Sequence, residues 1–467
     1  MRLSKYNTFI TSKNLGCFVY NALSNTLIEM DEAHYALLSN FQSGHGTAFD
    51  ADEDFYDLLR KHFVLAEPDE EQDQLFVQHS QRLAQCFKSS SLALTIAPTL
   101  RCNFRCPYCF ESSQATGRSM DADTRKRLVE WIQQHQDINK LQVTWYGGEP
   151  LLAFETICEL TESFKALDLQ YANAGLITNG YLLDEQKIDK LNELRITSVQ
   201  ITLDGPQEVH DSRRFLAGGG PTYERIIQNI RHLMHSDYSG HCMVRVNVDR
   251  NNIQGYLQLR DQLHQEFQGR QLFVYPGHVE AAETNISGRG SCLDMAEWAD
   301  FNLKLYHEYL VRPPGGIFPK GPTGGMCIAT RHNGFVVGPE GELYKCWDDV
   351  GQEDMIVGSI HAEKTITNPV LQARYASGLD AYSDPECMDC PVLPICGGGC
   401  VNKRLRSKFY GHQGVAYCSP FKNHLRKYLE ACIDAVRSQE ICSQVLTPGR
   451  VRAENPGFQV IFPQQEE

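Results

Sequence analysis

Leu92-Ala93-Leu94-Thr95-Ile96-Ala97-Pro98-Thr99-Leu100-Arg101 runs directly into Cys102-Asn103-Phe104-Arg105-Cys106-Pro107-Tyr108-Cys109. The first half is an apolar strand-forming run, and the second places three cysteines within eight residues. Three thiolates at such spacing can wrap a cubane [4Fe–4S] cluster and leave its fourth iron without a protein ligand. Zinc normally takes four ligands in two pairs, which this triplet does not supply.

Outward from this stretch, strand-like segments at 92–97, 141–146, 174–178, 196–203, 243–248 and 272–275 alternate with helical patterns. The helices fit at about 121–135, 153–167, 184–194, 223–235 and 254–267, with one more near 295–311. Six strands with helices between them indicate an α/β fold with a parallel sheet of βα repeats. Gly and Pro crowd 313–325, a boundary signal. The chain from there to about 440 is cysteine-rich and short of long regular elements, and 441–467 reads as an extended tail.

A cysteine triplet after the first strand of a βα array resembles the radical S-adenosylmethionine (SAM) superfamily. The resemblance implies a partial (βα)6 TIM-like barrel over 90–312 and a catalytic cluster on Cys102, Cys106 and Cys109. It also implies SAM chelating the open iron, and reductive cleavage to a 5′-deoxyadenosyl radical able to abstract an unactivated hydrogen. An external reductant such as flavodoxin or ferredoxin would supply the electron. Trp145-Tyr146-Gly147-Gly148-Glu149-Pro150 matches the family's GGE motif, implying that Glu149 contacts the SAM amino group. Gly147 and Gly148 would let the backbone approach the ligand closely. Tyr108, the aromatic before the last cysteine, joins the SAM-binding candidates. So do Thr178-Asn179-Gly180 and Thr202-Leu203-Asp204-Gly205, which are similar to family segments lining the cavity at the C-terminal barrel edge. Asn179 and Asp204 are equally at home in ordinary turns. In Val209-His210-Asp211-Ser212-Arg213-Arg214, Arg213 or Arg214 would pair with the SAM carboxylate or form a surface salt bridge. Asn247 is a further SAM candidate.

Farther on stand Cys327, Cys346, Cys387, Cys390, Cys396, Cys400 and Cys418, in an order that resembles the SPASM domain, here 313–440. That resemblance implies two auxiliary [4Fe–4S] clusters, for three in all: an outer one on Cys387, Cys390, Cys396 and Cys418, and an inner one on Cys327, Cys346 and Cys400. Some relatives supply a fourth inner ligand at the position of Gly321, so the inner cluster has an open iron or borrows a residue such as Cys292. An open iron would bind a substrate thiolate, carry electrons or serve as structural support.

Residues 1–75, with short strands at 6–10, 16–20 and 26–30, a helix capped by Asp31, a second short helix and a final strand, resemble a winged-helix peptide-recognition domain. Such a domain binds a leader peptide as an added strand. This points to a peptide maturase acting on a ribosomal precursor by thioether or carbon–carbon crosslinking. The competing reading is formylglycine formation on a sulfatase polypeptide. Sulfatase maturases carry a general-base Asp directly after the position of Cys346, where Trp347 stands here and Asp348 follows, so Asp348 is the candidate base. A non-catalytic electron carrier is a third reading, and it leaves Gly147–Glu149 without a purpose.

A formal charge of −14 with no broad basic face argues against nucleic acid as a partner. No stretch is apolar enough for a membrane span. Seventeen cysteines without a secretory signal at Met1–Thr8 fit a reducing, cytoplasmic setting in which cysteines bind metal rather than form disulfides.

Overall fold

The computed structural model describes residues 1–12, 16–42, 53–109, 117–135, 137–279, 291–309, 316–319, 327–412, 416–437 and 458–462. Two compact units divide the chain: Met1–Gln85 with Met295–Met326 and Leu379–Glu467, and Cys86–Asp294 with Cys327–Gly378. These units cut across the expected boundaries at 75, 90, 312, 313 and 440.

The chain begins with β1 (Arg2–Leu3), β2 (Asn7–Ser12), β3 (Gly16–Asn21) and β4 (Thr26–Met30). Then come α1 (Glu32–Gln42), α2 (Glu53–Lys61), β5 (Leu65–Ala66) and α3 (Pro68–Cys86). Strands β2, β3 and β4 form an antiparallel sheet. Asp31 caps α1 by accepting the His34 N–H at 2.8 Å, as its place before the apolar run suggests. Period-two alternation sends Val19, Ile28 and Met30 into a core with Leu38, Phe55 and Leu59 of the two helices. The intervening Phe18, Tyr20 and Leu27 enter a different core with Leu425, Tyr428 and Leu429. That face of the sheet is therefore covered by residues from 421–437. The acidic run at 67–73 is the start of α3, with Pro68 first and Asp69, Glu70 and Glu71 in the first turn, where unpaired N–H groups favour carboxylates.

The second unit opens with β6 (Ser91–Ile96), α4 (Ala122–Gln133), β7 (Lys140–Trp145), α5 (Phe154–Lys165), β8 (Gln170–Thr178), α6 (Glu185–Lys190) and β9 (Ile196–Leu203). It continues with α7 (Gln207–Arg213), α8 (Tyr223–His235), β10 (His241–Val248), α9 (Ile253–Glu266) and β11 (Leu272–His278). Helix α10 (Met295–Tyr309) belongs to the first unit. The strands stand in the order β11-β10-β9-β8-β7-β6, all parallel, an α/β fold with the sequential neighbours that βα repeats require. Val199, Ile201 and Leu203 of β9 and Val244, Val246 and Val248 of β10 are fully buried, each worth about 2 kcal/mol of transfer free energy. Polar Gln200, Thr202, Arg245 and Asn247 alternate with them on the opposite face. That face has the chemistry of a cavity wall.

Strands β12 (Gly334–Val337), β13 (Glu342–Tyr344) and β14 (Gly358–Ser359) extend this sheet beyond β6. β12 runs parallel to β6, and the other two are antiparallel. After α11 (Pro369–Ala373) the chain returns to the first unit with α12 (Pro385–Met388), α13 (Leu393–Cys396), α14 (Val401–Phe409) and α15 (Phe421–Arg437). The last element, β15 (Phe458–Phe462), lies within the stretch read as an extended tail and pairs antiparallel with β4. Among the described residues no helix is long and apolar enough to cross a membrane.

Candidate active site

The stem of the cysteine loop is fixed by the turn after β7. Gly148 N–H donates to Thr99 O at 3.1 Å and Glu149 N–H to Arg101 O at 2.9 Å. A Cβ on Gly147 would lie 2.5 Å from Thr99 O, and one on Gly148 2.5 Å from Arg101 O. Glycine is required here by the approach of the loop's own backbone, whereas the sequence reading placed the close approach at the ligand. The loop's other flank is tied to 215–217: Arg105 N–H donates to Phe215 O and Ala217 N–H to Asn103 O. Cys102, Cys106 and Cys109 are half-buried within it. Burial, then the nearby Glu149 and the two other cysteines, push the Cys102 thiol up to about 12, and burial also raises Cys106.

Glu149 is fully buried, yet both carboxylate oxygens are used. Oε1 accepts from Leu151 N–H at 3.0 Å and the Thr178 hydroxyl at 2.7 Å, and Oε2 from Asn179 N–H at 2.8 Å. Burial raises its pKa against the pull of these donors. The Asn179 side-chain amide donates to Asn103 Oδ1 at 2.8 Å, joining the end of β8 to the cysteine loop.

A second hub forms around Tyr108. Its hydroxyl donates to Asp204 Oδ1 at 3.0 Å and accepts from Arg214 at 2.8 Å and from Asn247 Nδ2 at 3.3 Å. Burial raises the Tyr108 pKa, so the phenol stays protonated. Arg213 bridges two carboxylates, Asp204 at 2.8 Å and Asp249 at 2.7 Å. Arg214 is buried beside Cys106, and its Nε has no partner among the described residues, as is true of Asn103 Nδ2. Of the two arginines left open by the sequence, Arg214 is the one with a spare buried donor. Sequence reasoning passed over His210, Asp249 and Asn252. His210 Nδ1 accepts the Asp204 N–H and its Nε2 lies 3.0 Å from the Thr222 hydroxyl, while Asn252 donates to Asp204 O. The quoted segment 209–214 contained His210, but no local signal marks a histidine as buried.

In the first unit, Cys387, Cys390, Cys396 and Cys418 line one pocket together with Val392, Tyr417 and Lys422. Arg404 donates to Cys387 Sγ at 3.3 Å and Lys422 to Cys418 Sγ at 3.6 Å, cationic partners suited to thiolates. Asp384 pairs with both Arg404 and Lys408. Gly397, Gly398 and Gly399 all take positive φ, and a Cβ on Gly399 would lie 1.8 Å from Tyr417 O. Cys400 belongs to this unit, whereas Cys327 and Cys346 belong to the other. Cys327 is exposed, and the Cys346 thiol is raised by burial and then by Asp348 and Asp349. Asp349 is fully buried and accepts the Tyr375 hydroxyl at 2.5 Å, while Asp348 is half-buried. Exposed Trp347 packs against Tyr146, ring centroids 5.7 Å apart. Cys292 sits between two anchors, Arg250 N–H on Ser291 O and the His278 ring on Leu293 O. Gly321 lies outside the described residues. Among those residues no three His, Cys, Asp or Glu side chains come together closely enough to hold a metal ion.

Residues 96–261 match the family model described as the Radical SAM superfamily. The chain is 22% identical over 392 residues to a serine-type anaerobic sulfatase-maturating enzyme of Bacteroides thetaiotaomicron, covering 74% of this chain and 92% of that one. Over 125 residues it is 31% identical to the PqqA peptide cyclase of Gluconobacter oxydans, covering 27% of this chain and 34% of that protein. The solved structure of native anSMEcpe with bound AdoMet and Cp18Cys peptide superposes with a TM-score of 0.57 at 20% identity, covering 75% of this chain and 98% of that one. This last likeness is one of fold.

Proposed function

Because residues 96–261 belong to the radical SAM superfamily, we propose that the chain is a radical SAM maturase that crosslinks a ribosomally made peptide through a thioether or carbon–carbon bond. The cluster and SAM supply, when bound, a carbon radical that removes an unactivated hydrogen. Cys102, Cys106 and Cys109 hold that cluster, and the spare donors of Arg214 and Asn103 suit an anionic ligand beside them. Glu149, with Thr178 and Asn179, anchors the turn that receives SAM. Tyr108, Asp204, Arg213 and Asn247 keep the loop in position. The pocket carrying Cys387, Cys390, Cys396 and Cys418 suits an outer auxiliary [4Fe–4S] cluster, with Arg404 and Lys422 offsetting its negative charge. Cys327, Cys346 and Cys400 remain the inner set on the sequence pattern alone.

The observation that carries the peptide reading is the sheet β2-β3-β4, whose outer strand β4 accepts a further strand from elsewhere in the chain. An edge that takes an added strand is the feature by which extended peptides are recognised. Formylglycine formation is the second reading, favoured by the sulfatase-maturating relative. Against it, Trp347 follows Cys346 where sulfatase maturases carry their general-base Asp, and Asp349 is engaged by Tyr375. The test is anaerobic incubation with SAM, a reductant and any short peptide found encoded beside this chain. A crosslinked product with loss of two hydrogens supports the proposal, and an aldehyde trapped by a hydrazine establishes the second reading. Failure to form any 5′-deoxyadenosine would leave only an electron carrier.

A further inference from the structure

Strand β15 is a later segment of the same chain, and it occupies the outer edge of β4 in the first unit. Phe458 pairs with Met30, Gln459 with Glu29, Val460 with Ile28 and Phe462 with Leu27, with an irregularity between Val460 and Phe462. Val460 fills the core formed by Ile28, Leu38, Phe55 and Leu59. Gln459 donates to Glu29 Oε2 at 2.6 Å. Without β15, β4 would expose a row of unpaired N–H and C=O groups beside an apolar slot, the surface a peptide strand seeks.

We propose that β15 is a resident competitor for the strand-addition edge, displaced when the substrate's recognition segment binds. This rests on the reading that the first unit takes its peptide as an added strand. Three features suit β15 to leave. It is only five residues long, it stands at the end of the sheet order and so is paired on one side only, and its register is interrupted. By contrast, β4 is paired on both sides, and its Leu27 and Ile28 are fully buried. The occupant that replaces it is an extended segment antiparallel to β4. It carries an aliphatic residue where Val460 sits and an amide or basic residue just before it, opposite Glu29. An edge that is mostly filled has its apparent peptide affinity reduced by the fraction of chains in which it is open, so weak ligands are screened out.

The test uses the full-length, cluster-loaded chain and a fluorescein-labelled peptide of residues 456–464. Val460→Asp in the chain, which expels the resident strand, should tighten binding of this peptide by about tenfold or more. The labelled peptide bearing the same change should not bind. As a check independent of any variant, amides of 458–462 in the unaltered chain should exchange about tenfold or more faster than those of β3. Equal peptide affinity in both chains, or equal protection of the two strands, overturns the proposal. Neither arm involves the substrate, so their failure leaves the strand-addition reading standing. That reading falls separately if a precursor peptide that the chain is shown to modify cannot displace the labelled tail peptide from the Val460→Asp chain.

Discussion

The Tyr108 hydroxyl donates to Asp204 Oδ1 at 3.0 Å, a bond that spans 96 positions of sequence and fastens the cysteine loop to the end of β9. Asp204 is fully buried and shares its other oxygen with Arg213, so one carboxylate holds the loop on one side and α7 on the other.

Asp204→Asn keeps the shape and removes the charge, leaving Arg213 with Asp249 alone. Breaking a buried pair in this way should cost about 3 kcal/mol of stability in the apo chain. SAM cleavage should fall with it, because Tyr108 loses a charged acceptor. Chemical denaturation and 5′-deoxyadenosine assays measure the two effects. Wild-type stability in the variant would mean that the pair is not formed in solution.

Replacing Cys102, Cys106 and Cys109 together by Ala should remove about four irons of about twelve and abolish SAM cleavage. Iron analysis of the reconstituted protein and 5′-deoxyadenosine assays give both numbers. Residual cleavage in the triple variant would refute the assignment of the radical cluster.

Gly148→Ala places a methyl group 2.5 Å from Arg101 O and 2.6 Å from Leu100 O, so the stem of the cysteine loop must shift. Gly399→Ala meets Tyr417 O at 1.8 Å and adds positive-φ strain. Each variant should lose about four irons, the first at the radical site and the second at the outer auxiliary site. Gly218→Ala, with nothing within 4 Å, is the control and should change stability by less than about 0.5 kcal/mol. Full iron content in both test variants would contradict the packing described.

His210 is held well below its ordinary pKa, first by burial and then by Arg214 and Arg213. The folded chain therefore keeps it neutral while the unfolded chain protonates it below about pH 6.5. Between those two values the unfolded state binds the extra proton, so stability falls as pH falls, by up to about 1.4 kcal/mol per pH unit. His62, pushed down to about 4 by burial, adds a slope of the same sign. His210→Gln should lower stability at neutral pH by about 1 kcal/mol through the lost Thr222 bond. It should also make the acid slope shallower, leaving the share due to His62, His264 and His332, which burial also lowers. Thermal midpoints of the apo chain across this range decide it, and an unchanged slope would place the proton elsewhere.

Much of the second unit was legible because its signals are local. Val199, Ile201 and Leu203 recur at strand period, and each strand meets its sequence neighbour, so pattern and topology coincide. The cysteine spacings were equally plain. Non-local features were not: β12 to β14 join β6 from far along the chain, and nothing in Gly334–Val337 names that partner. The acidic run at 67–73 fits a linker as well as a helix start, and it proves to be the first turn of α3. The tail read as extended, but its partner was hidden, because Phe458–Phe462 becomes a strand by borrowing the edge of β4. At the site, Glu149 and Asp204 were visible as strand-end residues. Their partners His210, Asp249 and Asn252 were not, because burial of a polar side chain is decided by the whole fold.

The shared core of Tyr6, Phe18, Tyr20 and Leu27 with Leu425, Tyr428 and Leu429 also sets an order of events during translation. A ribosome adding about 5–20 residues per second needs on the order of half a minute to travel from the first sheet to the helix that covers it. All of the second unit emerges in that interval and has its own strands at hand. The nascent sheet, with one apolar face still bare, is thus the segment that holding chaperones should engage, and the arrival of α15 is what releases it.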